Sequence, residues 1–214
     1  MSYSYLLFDL DGTLTDPGEG ITNSVAYALK KWGIEVGDKS ELYSFIGPPL
    51  SVSFAKYYGF NEEDSLKSVE YYREYFRDRG IFENKVYDGI HNLLETLKNN
   101  EKKLIVATSK PEQFAKIILD HFDLAKYFDF VAGATMDESR NKKADVIRYA
   151  LETFGISDLS STLMIGDRDQ DITGAKKNGL DSLGVLYGYG DREELEGAGA
   201  TYIAESVEDI LKFV

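Results

Sequence analysis

The stretch YLLFDLDGTLTD, at residues 5–16, contains the strongest indication of fold and function in this sequence. The apolar run ending at Phe8 is typical of a strand that is buried on both faces of a parallel sheet. Asp9 and Asp11 follow it directly, and Gly12 lets the chain leave the strand so that both carboxylates can face one cavity. Burying two carboxylates together is costly unless a cation or a shared proton relieves their repulsion. The stretch therefore predicts a functional site, rather than a solvated Asp-Gly turn.

Similar apolar runs recur along the chain, separated by patterns of helical spacing. After a first strand at about Tyr3–Leu10, further strands are predicted at Leu104–Ala107, Phe130–Ala132, Leu163–Ile165 and Leu183–Leu186. A last short helix is predicted after Ser206, which forms a capping-box pattern with Asp209. Strands that alternate with helices predict the α/β class, with a doubly wound parallel sheet.

Residues 16–85 interrupt this alternation, because they contain helical patterns and no convincing strand. One long helix is predicted from Asn61 to Arg79, with Gly80 as its stop. We therefore expect a helical domain of residues 16–85 inserted into an α/β core of residues 1–15 and 86–214. An insertion just past the first strand should stand above the carboxyl edge of the sheet, where open α/β sheets bind ligands.

The amino-acid composition argues against several classes of binding partner and excludes some kinds of metal site. Of 214 residues, 43% are apolar and 29% charged, as in an ordinary globular protein. Acidic residues outnumber basic ones by 37 to 24, and the net charge of −13 argues against nucleic acid or an anionic membrane as partner. The absence of cysteine excludes disulfides and thiolate metal sites. No apolar run approaches the roughly 20 residues that cross a bilayer, and we expect a cytoplasmic location.

Three further stretches place reactive residues at the ends of predicted strands or the starts of predicted helices. They are VATSKP (106–111), NKKADVI (141–147) and MIGDRDQD (164–171). Together with DLDGTLTD (9–16), and in the same order, they resemble the four motifs of the haloacid dehalogenase (HAD) superfamily of phosphotransferases. The resemblance extends through the whole chain and implies a HAD-like Rossmannoid core with an inserted helical cap.

The resemblance implies a role for each motif residue. Asp9 would be the nucleophile that forms an aspartyl-phosphate, and a carboxylate suits this because it is ionised at neutral pH without a separate base. Asp11 would protonate the leaving alkoxide and then deprotonate the attacking water, so its pKa should be raised. Thr108 would donate its hydroxyl to the phosphoryl group, and Lys143 would offset negative charge. The adjacent Lys142 is the alternative to Lys143.

The same resemblance implies a magnesium site, which suits an all-oxygen donor set. Its ligands would be Asp9, the backbone carbonyl of Asp11 and Asp167, with Asp171 binding directly or through a water. Residues proposed to bind the phosphate or the substrate are Gly12, Ser109, Lys110, Gly47 and Pro48.

Two loops resemble those of the phosphoglycolate phosphatase-like group of the superfamily. GPPL at residues 47–50 resembles the cap loop of that group, although a Pro-rich turn between two helices is an equal structural alternative. GVLYGYG at residues 184–190 resembles its G-V-x-W-G-Y-G loop, with Tyr187 in place of the usual Trp.

These features lead to a primary hypothesis and two alternatives. The primary hypothesis is a Mg²⁺-dependent phosphatase acting on a small phosphorylated metabolite, such as phosphoglycolate or a nucleoside 5′-monophosphate, as a monomer or homodimer. A sugar phosphomutase of the β-phosphoglucomutase kind would have the same motifs. A receiver-like phospho-acceptor domain is the non-enzymatic alternative, although it typically lacks an acid at the position of Asp11.

Overall fold

The chain folds into two compact units. The computed structural model describes residues 3–137 and 139–214. One unit consists of Met1–Asp16 with Val86–Val214, and the other of Pro17–Lys85. No helix within the described residues has the length and apolar character needed to cross a membrane.

The first unit is built on a parallel sheet. The strands of the described chain are β1 (Tyr5–Phe8), β2 (Thr15–Asp16), β3 (Lys85–Val86), β4 (Lys103–Pro111), β5 (Phe130–Ala134), β6 (Thr162–Gly166), β7 (Asp181–Val185) and β8 (Tyr202–Ala204). Six of them form one sheet in the order β5-β4-β1-β6-β7-β8, while β2 and β3 pair separately. Every neighbouring pair in the large sheet is parallel, so the carboxyl ends of its strands share one edge.

Helices alternate with the strands of this sheet. The α-helices of the described chain are α1 (Gly18–Lys31), α2 (Leu50–Tyr58), α3 (Glu62–Tyr75), α4 (Ile90–Asn99), α5 (Glu112–His121), α6 (Lys143–Phe154), α7 (Asp169–Lys177) and α8 (Arg192–Ala198). From α4 onward each helix lies between two strands in the chain. The predicted α/β class with a doubly wound parallel sheet is therefore confirmed.

The strand β1 lies at the centre of the sheet. Leu7 pairs in register with Ile105 of β4 on one side and with Met164 of β6 on the other. These three side chains are fully buried and pack with Val146 and Ile147 of α6 in one apolar cluster. Because the three central strands share this core, their carboxyl ends are held in fixed register, which is what a multi-residue site at that edge requires.

The second unit contains α1, α2 and α3 with a 3₁₀ segment at Lys39–Phe45. Aromatic rings pack together in this unit: the buried rings of Phe45 and Phe54 lie 5.1 Å apart, and the exposed Trp32 ring lies 5.2 Å from the half-buried ring of Phe60. Such edge and tilted ring contacts add to the free energy gained from burial alone.

The helix α3 begins as predicted but ends earlier. Asn61 caps it, since its side chain accepts a hydrogen bond of 2.8 Å from Asp64 N–H. The regular helix stops at Tyr75 rather than at Arg79, and a π-helical turn follows at Phe76–Gly80. In this wider turn Ile81 N–H donates to Phe76 O over 2.8 Å.

Tertiary packing explains the wider turn. A Cβ on Gly20 of α1 would lie 1.9 Å from the carbonyl oxygen of Gly80, so the two backbones are in direct contact. The end of the helical segment therefore depends on a neighbour in space, which the local sequence pattern does not contain.

Short elements account for the other differences from prediction. The strand β8 and the two-residue strands β2 and β3 are too brief to show a periodicity, and none was expected. The expectation of no strand in residues 16–85 is wrong at both ends, where Asp16 belongs to β2 and Lys85 to β3. The predicted last short helix is present, as a 3₁₀ helix at Glu208–Lys212, and Ser206 and Asp209 make the reciprocal hydrogen bonds of the predicted capping box.

Candidate active site

The residues of the candidate site stand at the carboxyl edge of the central strands. Asp9 directly follows β1 and Asp167 directly follows β6, while Thr108 lies within β4. Lys143 is the first residue of α6, and Asp171 lies in the first turn of α7. All five residues are buried. The parallel register thus brings together groups from four distant stretches of the chain.

Three carboxylates form the centre of this site. Oxygen atoms of Asp9, Asp167 and Asp171 all lie within 4.8 Å of one another. The ammonium group of Lys143 is 2.7 Å from Asp9 Oδ1 and 2.8 Å from Asp171 Oδ1. It also donates a hydrogen bond of 3.1 Å to the carbonyl of Ala107 in β4. Lys143 therefore links two of the acids to the sheet, while the neighbouring Lys142 is exposed.

Burial and mutual repulsion change the acidity of these groups. Burial raises the pKa of Asp167 well above its ordinary value, and the charges of Asp171 and Asp9 raise it further. Burial also raises the pKa of Asp171, to about 6, although the charge of Lys143 opposes the change. For Lys143 burial alone would lower the pKa, but the charges of Asp171 and Asp9 outweigh it and raise the pKa. The cluster thus contains more negative charge than one lysine balances.

This excess charge fits a divalent cation. When the three carboxylates are ionised, Lys143 leaves two negative charges uncompensated in a buried site. The donor atoms are all carboxylate oxygens, which are hard ligands that suit Mg²⁺. The residues present therefore match the predicted magnesium site in both charge and donor type.

Asp11 lies beside these groups but has a different partner. Its Oδ2 is 2.7 Å from Lys110 Nζ, in an ion pair of two nearly buried side chains. Its Oδ1 is buried and has no hydrogen-bond partner among the described residues. Burial raises the pKa of the Asp11 carboxyl, and the charge of Lys110 partly opposes this. The direction of this pKa shift is the one expected for a general acid.

The loop at the end of β4 presents hydroxyl groups. Thr108 Oγ1 accepts a hydrogen bond of 3.2 Å from Lys110 N–H and is buried. Ser109 Oγ is also buried and has no hydrogen-bond partner among the residues described. Such hydroxyls could donate to a bound anion.

Gly12 is required by close packing against the acidic cluster. Its φ is +84°, and a Cβ at this position would lie 2.1 Å from Asp167 Oδ2. Any other residue would be strained and would collide with that carboxylate.

Two of the expected substrate-binding residues lie in the other unit. Gly47, with φ of +105°, and Pro48 form the turn before α2. The site in the first unit is built without them, and their role stays a prediction.

Sequence reasoning missed several residues that hold Asp167 in place. Thr13 Oγ1 donates to Asp167 Oδ1 over 3.2 Å, and Tyr189 N–H donates to Asp167 Oδ2 over 2.9 Å. Tyr187 in turn donates its hydroxyl to the carbonyl of Thr13 over 2.9 Å. The unusual tyrosine at position 187 was the only signal in the sequence, and it did not indicate which groups would be joined.

A doubly wound α/β fold with a buried acidic cluster and a lysine at its strand ends has the composition of a site for phosphoryl transfer. The chain belongs to the family described as haloacid dehalogenase-like hydrolase, whose family model matches residues 6–185. The match extends over most of the chain and favours this assignment over a receiver-like phospho-acceptor domain.

Three individual proteins are similar to this chain over most of its length. A 5′-nucleotidase of Pseudomonas aeruginosa is 46% identical over 202 residues, which cover 94% of this chain and 91% of that protein. Tyrosine-protein kinase PtkA of Mycobacterium tuberculosis is 36% identical over 203 residues, covering 94% of this chain and 68% of that protein. The crystal structure of a predicted phosphatase from Clostridium acetobutylicum superimposes with a TM-score of 0.97 at 54% identity, covering 99% and 98% of the two chains.

Proposed function

We propose that this protein is a Mg²⁺-dependent phosphatase that hydrolyses a small phosphomonoester through an aspartyl-phosphate intermediate. One observation carries the proposal: three buried carboxylates and Lys143 meet directly beyond the central strands, with the carboxyl of Asp11 beside them. This arrangement offers a nucleophile, a proton donor and ligands for a cation within one site.

Asp9 is the proposed nucleophile. A carboxylate oxygen of Asp9 attacks phosphorus, and the bond between phosphorus and the ester oxygen breaks, leaving the phosphoryl group on Asp9. The nearby ammonium of Lys143, 2.7 Å from Asp9, offsets the negative charge that gathers on the nucleophile and the phosphoryl oxygens. In this proposal the hydroxyls of Thr108 and Ser109 donate hydrogen bonds to those oxygens.

Asp11 is the proposed acid and base. In its protonated form, which burial favours, it gives its proton to the departing ester oxygen and so releases an alcohol. The resulting carboxylate then takes a proton from a water molecule that attacks the phosphorus of the aspartyl-phosphate. Inorganic phosphate leaves, and both carboxyl groups return to their starting state.

Asp9, Asp167 and the backbone carbonyl of Asp11 are the proposed ligands of Mg²⁺, with Asp171 binding directly or through water. A bound Mg²⁺ would supply positive charge between the carboxylate nucleophile and the phosphate dianion, which otherwise repel each other. Lys143 alone balances only part of the negative charge of the acidic cluster.

The preferred substrate is a nucleoside 5′-monophosphate. The Pseudomonas aeruginosa relative, at 46% identity, is named a 5′-nucleotidase, and its similarity covers nearly the whole chain. Phosphoglycolate is the second candidate, on the resemblance of the loops at residues 47–50 and 184–190. We further propose that residues 16–85 act as the cap domain, that the enzyme is a monomer or homodimer, and that it is cytoplasmic.

The test is a phosphate-release assay with and without Mg²⁺ over nucleoside monophosphates, phosphoglycolate and sugar phosphates. Asp9→Asn should abolish turnover, whereas Asp169→Asn is the matched control, because Asp169 is exposed at the start of α7. Turnover by Asp9→Asn at the unmutated rate would exclude Asp9 as nucleophile. A product that is an isomeric sugar phosphate, with little free phosphate, would establish the phosphomutase instead.

A further inference from the structure

The orientation of the Asp167 carboxylate must be fixed by groups outside the acidic cluster. It is fully buried beside two other carboxylates, whose charges repel it. Nothing in that repulsion selects the direction in which its oxygens point. Two donors do so: Thr13 Oγ1 binds Oδ1, and Tyr189 N–H binds Oδ2. The second donor belongs to a segment that we call the tyrosine loop, residues 187–190.

The tyrosine loop follows β7 and has no regular secondary structure. Its glycines are required by contact with Asp167. A Cβ on Gly188 would lie 2.4 Å from Asp167 Cβ, and a Cβ on Gly190 would lie 2.0 Å from Asp167 O. Glycines let the loop approach this closely, but they also leave its backbone with little conformational preference of its own. The position of the Tyr189 amide must therefore be fixed by other contacts.

Two tyrosine hydroxyls supply those contacts. Tyr187 donates to the carbonyl oxygen of Thr13 over 2.9 Å, and Tyr189 donates to the carboxylate of Asp16. The ring of Tyr187 also packs edge-on against Tyr87, with 5.1 Å between centroids. Both acceptors lie in the segment that follows Asp9 and Asp11. The loop is thus tied at two points to the chain that carries the proposed nucleophile.

We propose that Tyr187 and Tyr189 are positioning residues, whose hydroxyls hold the tyrosine loop so that the Tyr189 amide orients Asp167 towards a divalent cation. Neither tyrosine is proposed to touch the cation or the substrate. This inference rests on the proposed function in one respect, namely that Asp167 is a ligand of Mg²⁺.

The experiment measures Mg²⁺ affinity directly, by calorimetric titration of the metal-free enzyme in the absence of substrate. Tyr189→Phe removes a hydrogen bond to a charged acceptor and should weaken Mg²⁺ binding about tenfold, whereas Tyr187→Phe removes a neutral one and should weaken it about threefold. Asp16→Asn keeps an acceptor for Tyr189 and should have a smaller effect than Tyr189→Phe. At saturating Mg²⁺ the kcat of each variant should return close to that of the unmutated enzyme.

Tyr3→Phe is the matched control. The hydroxyl of Tyr3 also donates to a carboxylate in the same unit, that of Asp181, over 2.7 Å. Tyr3 precedes β1, at the strand end opposite Asp9, so its loss should leave Mg²⁺ affinity unchanged. Urea denaturation of all variants establishes that each is folded before titration.

The outcomes separate this inference from the proposed function. If the unmutated enzyme binds no Mg²⁺, the proposed function is wrong. If the unmutated enzyme binds Mg²⁺, and Tyr187→Phe and Tyr189→Phe both bind it with the same affinity, the positioning role is wrong while the proposed function stands. A loss of affinity in Tyr3→Phe as large as that in Tyr189→Phe would likewise overturn the positioning role, because the effect would then be general.

Discussion

Replacing Lys143 with methionine removes the only ammonium group among the described residues that contacts Asp9 and Asp171. The side chain is nearly fully buried and makes ion pairs of 2.7 Å and 2.8 Å with these two carboxylates. Methionine has a similar length and preserves most of the packing, so the variant isolates the loss of charge. In the metal-free protein it leaves the buried carboxyl groups of Asp9 and Asp171 without the ammonium group that contacts them both.

The expected loss of stability is large. Removing one partner of a buried ion pair typically costs about 3–5 kcal/mol, because the remaining charge is desolvated and uncompensated. Here one lysine serves two carboxylates, so we expect a value in the upper half of that range at neutral pH. Under the proposed function Mg²⁺ would bind the folded acidic cluster and not the unfolded chain, and it should therefore restore part of the loss by mass action.

The assay is urea denaturation of the metal-free protein, followed by the same measurement with Mg²⁺. Lys142→Met is the matched control, because Lys142 precedes Lys143 directly but is exposed. Surface substitutions of this kind usually change the free energy of unfolding by less than about 0.5 kcal/mol. If Lys143→Met is no less stable than Lys142→Met without Mg²⁺, the argument that Lys143 balances the buried acids is refuted.

Three further predictions follow from the same site. Gly12→Ala places a Cβ 2.1 Å from Asp167 Oδ2 and should reduce the Mg²⁺ affinity measured by calorimetry by more than about tenfold. The control is Gly33→Ala, which also has a positive φ, +75°, but has no atom near its Cβ and should leave the affinity unchanged. Equal affinities of the two variants would contradict the packing argument. In the metal-free protein burial raises the pKa of Asp171 to about 6. The protonated form of this carboxyl therefore adds to the free energy of unfolding. That contribution is complete below about pH 4 and is lost as the pH rises through about 6. Denaturation at about pH 5 should therefore give a free energy of unfolding at least about 1 kcal/mol higher than at about pH 7.5, because the raised pKa values of Asp167 and Asp11 act in the same direction. Saturating Mg²⁺ should abolish or reverse this difference. Replacing Mg²⁺ with Ca²⁺ should inhibit phosphate release, because the looser coordination of Ca²⁺ misplaces the nucleophile, and equal turnover with both ions would refute that reasoning.

Much of the candidate site was predictable because its residues follow strands that are recognisable in the sequence. Asp9 and Asp167 each come directly after an apolar run, and parallel strands end at a common edge. The choice between Lys142 and Lys143 could not be made from spacing alone. The structure places Lys143 among the acids and leaves Lys142 exposed, because the first turn of α6 faces the sheet at that residue.

The contacts that hold Asp167 were not predictable in the same way. The hydrogen bonds from Thr13 and Tyr189 to Asp167 join parts of the chain that are distant in sequence, and no periodic pattern encodes such pairs. The wide turn at Phe76–Gly80 was missed for a related reason, since it depends on contact with Gly20. Local patterns specify which elements form, but tertiary contacts specify where they end and what they hold.

The central place of β1 has a consequence for how the protein is made. Tyr5 of β1 pairs with Lys103 of β4 and with Thr162 of β6, so β1 receives its second neighbour only after the chain has been synthesised as far as β6. Until then its apolar residues have no sheet to join, and exposed apolar strands of this kind favour aggregation. Asp9 meets Asp167 only when β6 has joined β1, so a chain truncated before β6 contains Asp9 but lacks the other two carboxylates of the acidic cluster.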